Sequence, residues 1–198
     1  MKHVQFLPKR IALVFIITAI LLLIPFTAMQ FNNKVNWSLF DFIIAGILLS
    51  GTGVTYELIS RRSKSTIYKA AVGLAVGTLL LLIWVNLTVG IIGSEDNPAN
   101  LLYFAVIATA FLGSIVSLLK PKGMAYTMFT SAVVMMLAPT ISLIIWRPEI
   151  GFAEVPGIIG VFVLNVFFAM LFTGSGLLFK KVNENENSSK RANPHVVK

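Results

Sequence analysis

The stretch Tyr68–Ile92, YKAAVGLAVGTLLLLIWVNLTVGII, carries no charged side chain after Lys69. As a helix rising about 1.5 Å per residue, it is long enough to cross a hydrocarbon core of roughly 30 Å. It is apolar around its whole circumference rather than along one stripe, as lipid contact requires. It does not alternate with period two, as a strand of a membrane barrel would. Five further runs have the same character, near Ile11–Met29, Leu39–Ile59, Pro98–Leu119, Met124–Trp146 and Gly157–Phe179. The expected fold is therefore all-α, an integral membrane bundle of six transmembrane helices. The composition agrees: 57% of residues are hydrophobic, 12% are charged, and the mean hydropathy is +0.85. A soluble domain carries about 25% charged residues.

Charge orders the spans. With six crossings, fourteen of the sixteen basic residues fall on one side. They are Lys2, Lys9 and Arg10; Arg61, Arg62, Lys64 and Lys69; Lys120 and Lys122; and Lys180, Lys181, Lys190, Arg191 and Lys198. Only Lys34 and Arg147 fall on the other. Basic loops stay in the cytoplasm, so both termini are expected there. The net charge of +8 comes in small groups between apolar runs, a membrane pattern that does not suggest nucleic acid. The first run is read as a retained span, because PFTAMQF offers no clean small-x-small cleavage site. Residues 1–181 are expected to form the membrane domain. Residues 182–198, VNENENSSKRANPHVVK, are polar and are expected to be a disordered cytoplasmic tail.

Polar residues near or inside the spans are the candidates for function, each with a plain structural alternative. IIGSEDNPAN (Ile91–Asn100) places Glu95 and Asp96 just before Asn97-Pro98, a helix-start signal. Asn97 as N-cap, with acids at the positive end of the helix dipole, explains most of the stretch. The alternative is an outer acidic vestibule of Glu95, Asp96 and Asp41. Asp41 itself follows Ser38 by three residues, the spacing of a capping box. Glu57 precedes Arg61 by one helical turn, the favourable order for an ion pair. Facing the interior, it would instead be a candidate coupling carboxylate. Asn86, Asn165 and Thr140 fall at a similar expected depth, and Pro139 frees a backbone carbonyl near Met135. These groups make either a small polar site within the bundle or interhelical hydrogen bonds that fix it.

Small residues recur in Gly73-Leu-Ala-Val-Gly77, Ser50–Gly53 and Thr173–Gly176. They are read as helix-packing faces, with a weak alternative of an internal repeat for the latter two. The chain has no cysteine, and its two histidines, His3 and His195, lie near the ends. Met124, Met128 and Met135 share a face that reads as packing. No hydrolase triad, HExxH or phosphate loop appears, so an enzyme is not expected, nor a metal or other cofactor.

Two stretches, WSLFDFIIAGILLSGTGVTYELISRR (Trp37–Arg62) and LLIWVNLTVGIIGSEDNPANLLYF (Leu81–Phe104), cover about a quarter of the chain. They resemble an uncharacterised family of small bacterial multi-pass inner-membrane proteins. That resemblance implies the bacterial inner membrane (plasma membrane) and carries no activity or catalytic residue with it. It gives some added weight to Asp41, Glu57, Asn86 and the SEDNPAN loop. Two functions are open: a non-enzymatic accessory or assembly subunit, and a small transporter or channel for a cation or small solute. Expected partners are membrane lipid and a further copy or another membrane protein.

Overall fold

The structure, a computed structural model, describes residues 6–31, 35–93, 96–145 and 157–192. Among these residues there are six long helices: α1 (Phe6–Phe31), α2 (Leu39–Ser60), α3 (Thr66–Thr88), α4 (Tyr103–Val116), α5 (Pro121–Ile145) and α6 (Ile158–Ala192). A short 3₁₀ helix, Pro98–Leu102, leads into α4. With that turn counted into α4, all six are long and apolar enough to cross a membrane, and no strand occurs among the described residues. The chain divides into two compact units, Met1–Arg61 and Arg62–Lys198, where the sequence suggested one membrane domain.

The first unit is an antiparallel hairpin whose register is written in pairs. Arg10 faces Glu57, Val14 faces Gly53, Leu22 faces Gly46, and Phe26 faces Phe42. Steps of one or two turns along α1 meet matching steps along α2, so one stripe of each helix meets the other throughout. Small residues sit where the helices come closest: a Cβ placed on Gly53 would lie 2.5 Å from Cγ1 of Val14. Phe42 closes the far end, edge-on to Phe26 at 6.5 Å and to Trp37 at 5.2 Å. There α2 starts with the capping box expected from the sequence. Asp41 N–H donates to Ser38 Oγ at 3.3 Å, and Ser38 N–H donates to Asp41 Oδ2 at 2.7 Å.

In the second unit α6 packs against both α3 and α5, and α5 also packs against α4. The core between them is filled by Tyr68, Leu82, Tyr103, Met128, Met135, Phe168, Phe172 and Phe179, all fully buried. Met124 and Met128 belong to the buried face of α5, in keeping with a packing role for the methionine stripe.

Three boundaries differ from the sequence reading. The third span ends at Thr88, and Ile91 and Ile92 fold back into the core instead of continuing it. Gly90 and Gly93 bracket them at φ 74° and 70°, a left-handed conformation that glycine adopts without a Cβ penalty. Between the expected fourth and fifth runs, Pro98–Leu119 and Met124–Trp146, the sequence leaves Lys120–Gly123 for the turn, and the turn comes one step earlier. Pro121 is already the first residue of α5, where its missing N–H costs nothing. The reversal falls on Leu118 and Leu119, at φ 51° and 59°. Finally, residues 182–192 continue α6 where a disordered tail was expected, while 193–198 lie outside the described residues. Val182 is buried beyond Phe179, and no glycine or proline lies between Val182 and Ala192.

The α4–α5 contact is tight at Gly123, whose added Cβ would lie 2.5 Å from Ser117 Cβ and 3.0 Å from its backbone Cα. Gly123→Ala is expected to destabilise the unit by about 1–3 kcal/mol, the usual cost of overpacking. Gly53→Ala is expected to cost a similar amount. In the hairpin the clash is with the Val14 side chain alone, whereas at Gly123 it reaches the Ser117 backbone, so adding Val14→Ala should recover part of the loss. Unfolding titrations in mixed micelles would check both.

Candidate functional site

The polar side chains of the second unit converge on the 3₁₀ helix and the first turn of α4. Asn97 caps this segment: its Oδ1 accepts from Ala99 N–H at 2.9 Å, and Pro98 takes the first position. The sequence predicted this cap, although the helix it starts is 3₁₀ for its first five residues. Asp96 is exposed beside it, and Glu95 lies outside the described residues. Asp41 is engaged in the capping box of α2. The acids of the expected outer vestibule are therefore a cap residue, an exposed loop residue and one residue not described.

Asn100 is the residue that sequence reasoning passed over. Its side chain is buried, and its Oδ1 accepts from Ile91 N–H at 3.0 Å and from Ile92 N–H at 2.9 Å. Its Nδ2 donates to the Ile92 carbonyl at 3.3 Å. One amide thus satisfies three backbone groups of the folded-back Ile91-Ile92 segment. Unpaired in an apolar interior, each of these groups would cost about 1–3 kcal/mol. The backbone carbonyl of Asn100 in turn accepts a long bond, 3.4 Å, from Nδ2 of Asn86 on α3.

One turn on, Tyr103 meets Asn165 of α6. Its hydroxyl lies 3.2 Å from Oδ1 and 2.9 Å from Nδ2 of that amide, and Nδ2 also donates to the Val161 carbonyl at 2.8 Å. Both residues are fully buried. Asn86 and Asn165 are therefore each held by this segment, through different partners. Thr140 does not join them. Its side chain is exposed on α5, and its hydroxyl donates to the Met136 carbonyl of its own helix at 3.1 Å. The buried polar residue of α5 at this level is Ser142, two positions on and so on another face. Ser142 Oγ and Asn86 Oδ1 are buried with no hydrogen-bond partner among the described residues.

At the other end of the unit two bonds tie α3 to its neighbours. Ser175 Oγ on α6 donates to the Ala71 carbonyl at 2.9 Å, and Tyr68 Oη donates to the Leu119 carbonyl at 2.9 Å. Tyr68 also stacks edge-on against Phe179, with ring centres 5.4 Å apart. The carbonyl taken by Tyr68 belongs to the left-handed turn, so this bond braces a conformation that costs a leucine roughly 1–2 kcal/mol.

In the hairpin, Glu57 is paired as expected with Arg61. Arg61 donates from Nε at 3.2 Å and from Nη2 at 3.0 Å, both to Oε1. A second partner comes from α1: Nη1 of Arg10 donates to the same oxygen at 3.1 Å. Arg10 was missed because its tie to residue 57 exists only through the register of the antiparallel pair. Glu57 is covered and shared between two arginines.

Taken together, apolar helices of spanning length and polar side chains bonded to one another define a multi-pass helical membrane protein. Comparison with known protein families, with curated proteins and with solved structures gives no match to this chain.

Asn100→Ala is expected to destabilise the second unit more than Tyr103→Phe does. The first strands two backbone N–H groups, at about 2 kcal/mol or more. The second removes one interhelical contact, worth about 0.6 kcal/mol on average. A double-mutant cycle of Tyr103→Phe with Asn165→Leu, read by micellar unfolding, measures the coupling directly.

Proposed function

We propose that the protein is a non-enzymatic accessory or assembly subunit of a membrane complex, with both termini cytoplasmic, in a bacterial inner membrane. The observation that carries this reading is how the polar interior is used. Asn165 is bonded to Tyr103 and Val161, Asn100 closes the Ile91-Ile92 turn, and Glu57 is held by two arginines. These three residues, which could have served a permeating solute, are instead occupied in holding the backbone and helices together, and only Asn86 Oδ1 and Ser142 Oγ are buried without a partner among the described residues. The centre of the second unit is filled by Phe168, Phe172, Phe179 and Tyr103. Such a scaffold acts through its surfaces, and those surfaces are broad and apolar along every span.

Orientation and membrane rest on the distribution of basic residues and on the resemblance of Trp37–Arg62 and Leu81–Phe104 to bacterial inner-membrane proteins. The transport alternative rests on Asn86, whose Nδ2 donates to the Asn100 carbonyl while its buried Oδ1 has no partner among the described residues.

Native mass spectrometry of the protein released gently from its own membrane should give a complex with a second membrane protein in fixed ratio. A homomer alone, together with cation or solute flux in proteoliposomes that Asn86→Ala abolishes, would overturn the reading in favour of transport.

A further inference from the structure

The Arg10–Glu57–Arg61 cluster has a feature that helix packing does not require. Two guanidinium groups share one carboxylate, so the cluster keeps a net positive charge. All three of their hydrogen bonds fall on a single oxygen, Oε1 of Glu57. A guanidinium presents five N–H donors in a planar fork, and most of those on both arginines have no partner among the described residues. The three side chains are also unequally covered. Glu57 is 10% exposed, Arg61 33% and Arg10 61%. The carboxylate is the covered anchor, and the guanidinium groups it holds face outward.

Position narrows the ligand. Arg10 lies one residue inside the start of the first span, and Glu57 three residues before the end of the second, so the cluster sits at one tip of the hairpin. A span tip lies at headgroup depth when the apolar stretch fills the hydrocarbon core. Next to the cluster along the two helices, Leu13, Ile17 and Leu58 are all about half exposed. Lys9, beside Arg10, is exposed as well. A cationic fork with acyl-sized apolar surface alongside fits a phosphate that carries lipid tails better than a free anion.

We propose that Arg10 and Arg61, positioned by Glu57, bind the phosphate of an anionic phospholipid headgroup. Guanidinium and phosphate match as planar fork and paired oxygens, a geometry that a lysine ammonium cannot reproduce. Glu57 is a positioning residue here. By engaging one edge of each guanidinium it fixes the direction in which the remaining donors point.

The test uses the full-length protein, delipidated in detergent and titrated with phosphatidylglycerol or phosphatidylcholine, with bound lipid counted by native mass spectrometry. Phosphatidylglycerol should bind roughly tenfold more tightly. The Arg10→Lys/Arg61→Lys variant keeps the charge and loses the fork. It should bind phosphatidylglycerol about tenfold more weakly than the parent, as expected for the loss of one charge-assisted hydrogen-bond pair. A Lys120→Gln/Lys122→Gln control removes two basic residues elsewhere and should bind as the parent does. Unchanged phosphatidylglycerol binding in the double arginine variant would overturn the proposal. Equal displacement by millimolar inorganic phosphate would also overturn it, because the site would then take a soluble anion. Should the double variant unfold, Arg10→Lys alone decides, since Arg61 still pairs with Glu57 one turn away.

Discussion

A polar group buried in hydrocarbon has no water to fall back on, so its partner must come from the protein itself. The second unit is organised around that constraint. Asn100 satisfies the backbone of Ile91 and Ile92, and this lets the loop after α3 turn inward as an apolar plug. Tyr103, one turn later, ties α4 to α6 through Asn165. Because both residues belong to the same short stretch, the loop and the helix pair are held in place from one segment. Without the Asn100 amide, the two N–H groups between Gly90 and Gly93 would have to face lipid or bulk water, and Ile91 and Ile92 could not reach the core.

The opposite end of that unit obeys the same rule with different chemistry. Leu118 and Leu119 adopt backbone conformations that side-chain-bearing residues avoid, and the turn they make is bonded to Tyr68 through the Leu119 carbonyl. Ser175 bonds directly to the backbone of α3 at Ala71. Helices α3, α4 and α6 are thus joined by single side chains bonded to backbone carbonyls or a side-chain amide, and α5 packs against α4 and α6. In the hairpin the logic is simpler. Glycines at 46 and 53 let α1 and α2 approach, and the charged contact found among the described residues lies at the tip, where ions are cheaper to keep than at mid-membrane.

Asn165, Asn100 and Ser175 are used up within the protein. Arg10 and Arg61 share one acceptor and retain donors that point outward.

Much of the architecture was legible from residues 1 to 198 alone, because hydropathy over a span is a sum over neighbours in sequence. Six helices, the Ser38–Asp41 capping box, the Asn97-Pro98 start and the Glu57–Arg61 pair all involve residues within one turn of each other. The ends of the spans were less legible: Ile91-Ile92 reads as more helix, and only glycines in a left-handed conformation and the reach of Asn100 turn it inward. The grouping of Asn86, Asn165 and Thr140 by depth gave height along the bundle and not rotation about each helix, so it could not tell that Thr140 faces outward and Ser142 inward. Arg10 beside Glu57, Tyr103 beside Asn165 and Tyr68 beside Leu119 join residues 47, 62 and 51 positions apart. The sequence alone determined which segments are long and apolar enough to cross a membrane, since hydropathy is set by local composition. Which side chains meet was decided only by tertiary structure, since that depends on the register and facing of helices distant in the chain.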